Sequence, residues 1–318
     1  MAKELSSVLK LYKINANSSV WHKNPEVKKK LNAVLSKYRK LIYENISLST
    51  ASAWELSNSH NDSLVSNYIK GIPITESGSK KFFNRNKEAL KAFQNRTKGG
   101  LKLSDRVWNL TNQTKQQLES FLASGLTSGS SAKSLASDLQ RYLKEPEKRF
   151  RRLRNPETGK LVISDPAKNY KPGRGVYRSS YKNSLRLARN EINIAYRTSD
   201  NERRKQLPFV LGIQVSLSPA HPEYDICDEL QGEYPKDFQF TGWHPNCLCF
   251  TTTKLMSKED FAKQVNGMKI PESKYVKSIP TAAQKYIKEN SERIKSFSNK
   301  PYFIQDNFKK SKDGFELK

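Results

Sequence analysis

The sequence predicts an α+β protein: an α-helical amino-terminal domain, a small α/β module that contains a Cys/His motif, and a helical carboxy-terminal tail. Three observations carry this expectation. Apolar residues recur at three- and four-residue steps through most of residues 1–147. The periodicity changes at 209–217, FVLGIQVSL, which is rich in β-branched residues. All three cysteines of the 318-residue chain fall within 221–250. The expected divisions are a helical domain at 1–147, a basic connector at 148–174, the α/β module at 175–256 and a basic helical tail at 257–318.

Taken in order, residues 1–20 are polar. Residues 25–47 read as an amphipathic helix, with Pro25 suited to a first helical position and Leu31, Val34, Leu35, Tyr38, Leu41 and Ile42 on one face. A short helix is expected over 60–70, ending before Gly71, and another over 79–98, stopping at Gly99 and Gly100. Ser104 is placed as the N-cap of a helix reaching about Ser124, with Val107, Leu110, Leu118, Phe121 and Leu122 as its apolar stripe. A further helix opens at Ser130 or Ser131 and ends at Pro146. Residues 148–174 break the pattern with Pro, Gly, Asn and Asp, and NPETGKLV reads as a turn between short extended pieces. A long helix follows over about 177–206, with Tyr181, Leu185, Ala188, Ile192, Ala195 and Tyr196 as its core stripe. Strands are expected at 209–217 and 248–254, a helix capped by Ser257 at 258–265, and a last helix at 281–296.

Charge narrows the partners. Lys and Arg number 57 against 31 Asp and Glu, a formal charge of +26, and the pI is about 9.8. Such a balance points to a polyanion, nucleic acid first and an anionic membrane second. The positive charge concentrates in 141–189, while 211–250 is acidic. Phosphate contacts are expected from Arg149, Arg151, Arg152, Arg154, Arg174, Arg178 and Lys182; a solvated linker charge run is the other reading of this block. Phe150, Tyr170, Tyr177 and Tyr181 lie among these cations, and Tyr181 is expected in the core. The amino terminus lacks a secretory apolar stretch and no run approaches a membrane span. The expectation is a protein made and kept in a cytoplasm, without a membrane partner. An odd cysteine count in a reducing compartment gives no disulfide framework.

The Cys/His motif is Cys227, His244, Cys247 and Cys249, spaced Cys-x16-His-x2-Cys-x-Cys, with His221 and Asp225 just upstream. In an extended segment Cys247 and Cys249 point to one face. Four such ligands match a structural Cys₃His zinc site. The other reading is metal-free: three thiols buried as small hydrophobes. Phe240 and Trp243 are expected to seal the module's core. A second constellation, Arg189, Glu191, Asp225 and His244, has the groups of a hydrolase site, but Arg189 and Glu191 do not share a helix face, and ordinary structural pairing is the expected use.

Three segments in order, GRGVYRSSYKNSLRLARNEINIAYR (173–197), LPFVLGIQVSLSPAHPEYDICDELQGEYP (207–235) and FTGWHPNCLCF (240–250), resemble the phage Mu F-like minor head proteins, also called phage head morphogenesis proteins. LSDRVWNL and EPEKRFRRLR in the helical region carry a less specific likeness. The chain departs from the family where Asn190 follows Arg189, in place of a threonine, and where Leu248 stands between Cys247 and Cys249, in place of an arginine. The resemblance implies a non-enzymatic minor capsid protein of a tailed double-stranded DNA phage or prophage. Its implied partners are the portal protein, other head proteins and double-stranded DNA. Its implied place is the virion, in the capsid interior or at the portal vertex, and the host cytoplasm during assembly. A nuclease or toxin-like hydrolase carried in the head is the alternative.

Overall fold

Pro25 opens a helix that does not stop until Ile69. In the computed structural model, which describes residues 2–10, 25–127, 138–139, 143, 153–162, 179–311 and 314–318, a short helix α1 (Ala2–Lys10) precedes this long α2 (Pro25–Ile69). Two helices were expected across 25–70; one is present. No Pro or Gly interrupts residues 26–70. Within the helix the Ser- and Asn-rich stretch satisfies its side chains by bonding back to carbonyls one turn earlier. Asn58 Nδ2 donates to the Trp54 carbonyl, Asn61 Nδ2 to Ser57 and Ser63 Oγ to Ser59. Buried Trp54 and Val65 add the packing that such residues lack in propensity. The turn that follows the helix carries Gly71, whose φ of 84° suits glycine.

The helix expected at 79–98 is divided. α3 (Glu76–Lys80), capped by Thr75, runs into a 3₁₀ turn (Lys81–Phe83), and α4 (Lys87–Asn95) starts anew. Asn84 and Asn86 cause the break. The Asn84 side chain accepts the Asn86 N–H, and Asn86, at a φ of 42°, caps α4 by accepting the Ala89 N–H. α5 (Leu103–Thr127) begins before Ser104, so that serine lies inside the helix, and Asp105 reaches back to the Lys102 N–H. The helix expected from 130 or 131 to 146 lies outside the described residues except at 138–139 and 143. β1 (Leu153–Arg154) and β2 (Leu161–Val162) form the small antiparallel pair expected around the NPETGKLV turn.

α6 (Ser180–Lys205) leads into β3 (Val210–Ser216). β3 is the centre of a three-stranded antiparallel sheet in the order β4-β3-β5, with β4 (Gly232–Tyr234) and β5 (Phe250–Leu255) on either side. Between β3 and β4 lies one turn of helix, α7 (Ile226–Glu229). α8 (Lys258–Val265) is capped by Ser257 as expected. The helix expected at 281–296 is interrupted at Asn290, giving α9 (Thr281–Glu289) and α10 (Ser291–Ser296). α11 (Tyr302–Asn307) and an antiparallel hairpin, β6 (Phe308–Ser311) with β7 (Gly314–Leu317), follow. The carboxy-terminal part is thus helical with a closing hairpin. Neither β4, α7 nor that hairpin was anticipated. Their segments are too short for periodicity to show.

The chain divides into two compact units, both discontinuous in sequence. One comprises residues 1–46 and 100–188, the other 47–99 and 189–318. In the first, Ile46, Leu103 and Val107 are buried with Ile42, Leu187 and Ala188 packed against them. Tyr181 was expected in the core, yet it is 47% exposed. Deep apolar burial on α6 comes later, at Ile194 and Ala195, with Glu191, Arg203 and Arg204 also buried. In the second unit Ile213 and Val215 of β3 face an aromatic cluster of Tyr234, Phe238, Phe240, Trp243, Phe303 and Phe308, which includes all three cysteines. A second cluster gathers Tyr68, Phe82, Phe209, Met256 and Phe261. Gly212 lets the β4 strand approach closely: a Cβ there would lie 2.8 Å from the Tyr234 carbonyl. Among the described residues, no helix is long and apolar enough to cross a membrane.

Candidate metal centre

The centre forms where two irregular segments of the second unit meet the apolar cluster. Cys227 sits on α7. Asp225 caps that turn by accepting the Cys227 N–H at 2.6 Å, and Asp228 returns a bond from the Asp225 N–H at 2.8 Å, a reciprocal capping box. His244, Cys247 and Cys249 come from the turn before β5. Asn246 at a φ of 63° and Gly242 at 115° shape that turn. Cys247 and Cys249 are both buried, while Leu248 between them is exposed, as alternation along an extended segment requires.

Cys227 Sγ lies 3.8 Å from Cys247 Sγ and 3.1 Å from His244 Nε2. The three donor atoms lie within 4.8 Å of one another, and the cluster can hold a metal ion such as zinc. Bonds of about 2.3 Å to sulfur in a tetrahedral site set neighbouring sulfurs about 3.8 Å apart, so the thiol pair has the right edge length. The imidazole is oriented for ligation. His244 Nδ1 donates to the Pro245 carbonyl at 2.8 Å, which leaves the Nε2 lone pair toward Cys227. That same Nε2 is 3.1 Å from Asp225 Oδ2. His244 Nε2 thus stands between a thiol and a carboxylate, an arrangement of donors that a metal ion could join. His221, Asp225 and Cys227 form an overlapping group, with His221 Nε2 3.1 Å from Asp228 Oδ2.

Cys249 is not in the compact set of three. It does interact with the thiols of both Cys227 and Cys247. Within this sulfur group the Cys247 thiol is held well below the ordinary range by hydrogen bonding from Cys227 and then Cys249, with the Arg197 charge adding to it. Cys227 is pushed the opposite way, mainly by its hydrogen bond to Cys247. The Arg197 charge beside Cys247 and Cys249 favours thiolate character within this sulfur group, the form in which cysteine binds metals.

No protein-family model matches the chain, and no curated protein or solved structure matches it.

Arg197 of α6 escaped notice in the sequence. It donates from Nη1 to the Thr241 carbonyl at 3.0 Å and from Nη2 to the carbonyls of Cys247 and Cys249 at 2.9 and 2.7 Å. One guanidinium thus fixes both ends of the ligand-bearing turn. Burial lowers its pKa, opposed by the neighbouring cysteines. The second constellation resolves into separate uses. Glu191, 1% exposed, is paired with Arg96 at 2.8 Å, and Arg189 is exposed, while Asp225 and His244 join the metal cluster. Phe240 and Trp243 lie in the aromatic core. Of the expected phosphate contacts, Arg154 and Lys182 are exposed, and Arg154 Nη1 also donates to the Gly159 carbonyl at 2.9 Å. Arg149, Arg151, Arg152, Arg174 and Arg178 lie outside the described residues, as do Phe150, Tyr170 and Tyr177.

Proposed function

We propose that the chain is a minor head protein of a tailed double-stranded DNA phage or prophage, acting in head assembly through the portal protein, other head proteins and packaged DNA, with a structural zinc centre in its second unit. The observation that carries this reading is the ordered likeness over residues 173–253. The gathering of Cys227, His244 and Cys247, three residues of that stretch, supports its metal component. Cys249 is the fourth ligand in this reading, reached by a side-chain rotation within the buried sulfur group. Zinc would supply a crosslink between α7 and the turn before β5, and structural zinc contributes folding free energy directly. The +26 charge supports a DNA partner.

Two measurements test the proposal. Freshly purified, reduced protein should carry about one zinc per chain by elemental analysis, and a chelator should lower its Tm. Co-expression of the full chain with the portal protein of the same phage or prophage should yield a co-purifying complex. Absence of stoichiometric zinc would remove the metal centre, and absence of any portal complex would remove the assembly role. The contact of Asp225 with His244 beside a metal cluster also suits a hydrolase. Cleavage of DNA or RNA that EDTA abolishes would favour that alternative.

A further inference from the structure

Bordering the sulfur group at Cys249 and Arg197, the second unit contains a cleft of about 600 Å³ whose remaining wall the reading above does not use. α2 contributes His60 and Asn61 to its wall, α6 contributes Tyr196, Asp200 and Arg204, and β5 contributes the stretch from Phe250 to Thr253. Arg204 is 3% exposed. Its Nη2 is shared between Asp200 Oδ2 and Thr251 Oγ1, the latter at 2.6 Å. Its Nε is buried without a hydrogen-bond partner. Among the described residues no acceptor is bonded to its Nη1.

The one carboxylate in the wall is already engaged. Asp200 Oδ1 accepts from Asn61 Nδ2 at 2.9 Å, and Oδ2 takes Arg204 and, at 3.4 Å, Thr251. Beside it the Tyr196 hydroxyl lies 2.7 Å from His60 Nδ1. The cleft therefore offers guanidinium, phenol, imidazole and threonine hydroxyl groups beside the amides of Asn61 and Asn193, and its one carboxylate is already bonded. A buried donor without an acceptor costs about 1–3 kcal/mol, so such a wall favours an acceptor-rich anion. Burial lowers the Arg204 pKa to about 10 and raises that of Tyr196, which fits groups taken from water and not fully compensated. Phe250 at the edge is 46% exposed, an aromatic face available for stacking.

We infer that this cleft binds a phosphoryl group, held by Arg204, Tyr196 and His60, on a ligand whose base can stack on Phe250. A guanidinium with unused N–H donors suits phosphate oxygens. The phosphoryl group can belong to a free nucleotide or to the 5′ end of a DNA strand. The cleft borders the metal centre at Cys249 and Arg197, but the phosphoryl-holding groups, Arg204, Tyr196 and His60, belong to neither that centre nor the assembly reading.

Isothermal titration of the full chain tests it, in about 0.15 M chloride to screen exposed charges beyond about 8 Å. The probes are inorganic phosphate, adenosine 5′-monophosphate, and one short single-stranded oligonucleotide with and without a 5′-phosphate. One saturable phosphate or nucleotide site per chain is expected. Arg204→Lys and His60→Glu should each weaken it by about tenfold or more. His60 is exposed, so His60→Glu carries the test if Arg204→Lys fails to fold by circular dichroism. A mononucleotide bound more tightly than inorganic phosphate supports the site with a nucleotide as its ligand. A preference for the 5′-phosphorylated oligonucleotide supports it with a strand end. No saturable binding of any probe overturns the inference. So does equal binding of both oligonucleotides by the wild type and the folded variants, which would place the contact on the basic surface.

Discussion

Cys227, His244 and Cys247 were legible as candidate ligands because all three cysteines of the chain, with two of its four histidines, fall in one stretch, which stands out without any structure. Arg197 was not legible. Nothing in helical spacing says which of several arginines on α6 will meet a turn 44–52 residues further on. Arg189 drew attention instead, and it points to solvent. The division of labour among the three thiols is testable one atom at a time. Cys247→Ser should abolish stoichiometric zinc and lower the Tm. Cys249→Ser should do the same if its sulfur completes the tetrahedron. Retention of zinc by Cys249→Ser, measured by elemental analysis, would move the fourth position to another donor such as Asp225, and a modest Tm loss for Cys→Ala with no chelator effect would mean the thiols serve only as packed core.

Elements were read well where they are long and periodic, as in α6, β3 and α8, and less well where a single side chain decides. Asn84 and Asn290 each close a helix and Asn86 opens one, through bonds that periodicity does not register. The ligand-bearing turn depends on one such local feature. Gly242 has a φ of 115°, and a Cβ there would lie 2.6 Å from Arg197 Nη1. Gly242→Ala should destabilise the second unit by at least about 1 kcal/mol, seen as a lower denaturation midpoint. α7 makes a pH-dependent contribution. The Asp225 N–H, and after it the bond to His221, hold the Asp228 carboxyl below its ordinary range. A folded value below the unfolded one stabilises fully above the ordinary carboxylate range, and that stabilisation disappears as pH falls through the folded value. Asp228→Asn should therefore flatten the acid side of a Tm–pH curve. An acid limb identical to that of the wild type would show that this carboxyl does not contribute.

For the whole molecule, charge was legible at once and the division into units was not. Composition and periodicity run along the chain, whereas each unit is assembled from two separated stretches of it. The +26 charge leads to a direct expectation. Binding to double-stranded DNA should be insensitive to sequence and weaken steeply with salt, with a log–log slope of about 0.9 per phosphate neutralised. Replacing Arg149, Arg151, Arg152 and Arg154 with Ala should reduce affinity for all sequences alike and lessen that slope. An affinity flat in salt would rule this binding mode out. The discontinuous second unit has a further consequence, for the time order of folding. Its residues 47–99 are made before the segment 100–188, and their partners from 189 onward only after it. Bringing the two stretches together closes a long loop, at an entropic cost on the order of 4 kcal/mol. At about 5–20 residues per second, Trp54, Val65, Tyr68, Phe82 and Phe93 wait roughly 5–20 s for the strands and helices that bury them. During that interval the newly made chain presents an aromatic surface that a chaperone can hold, and that other nascent chains can capture.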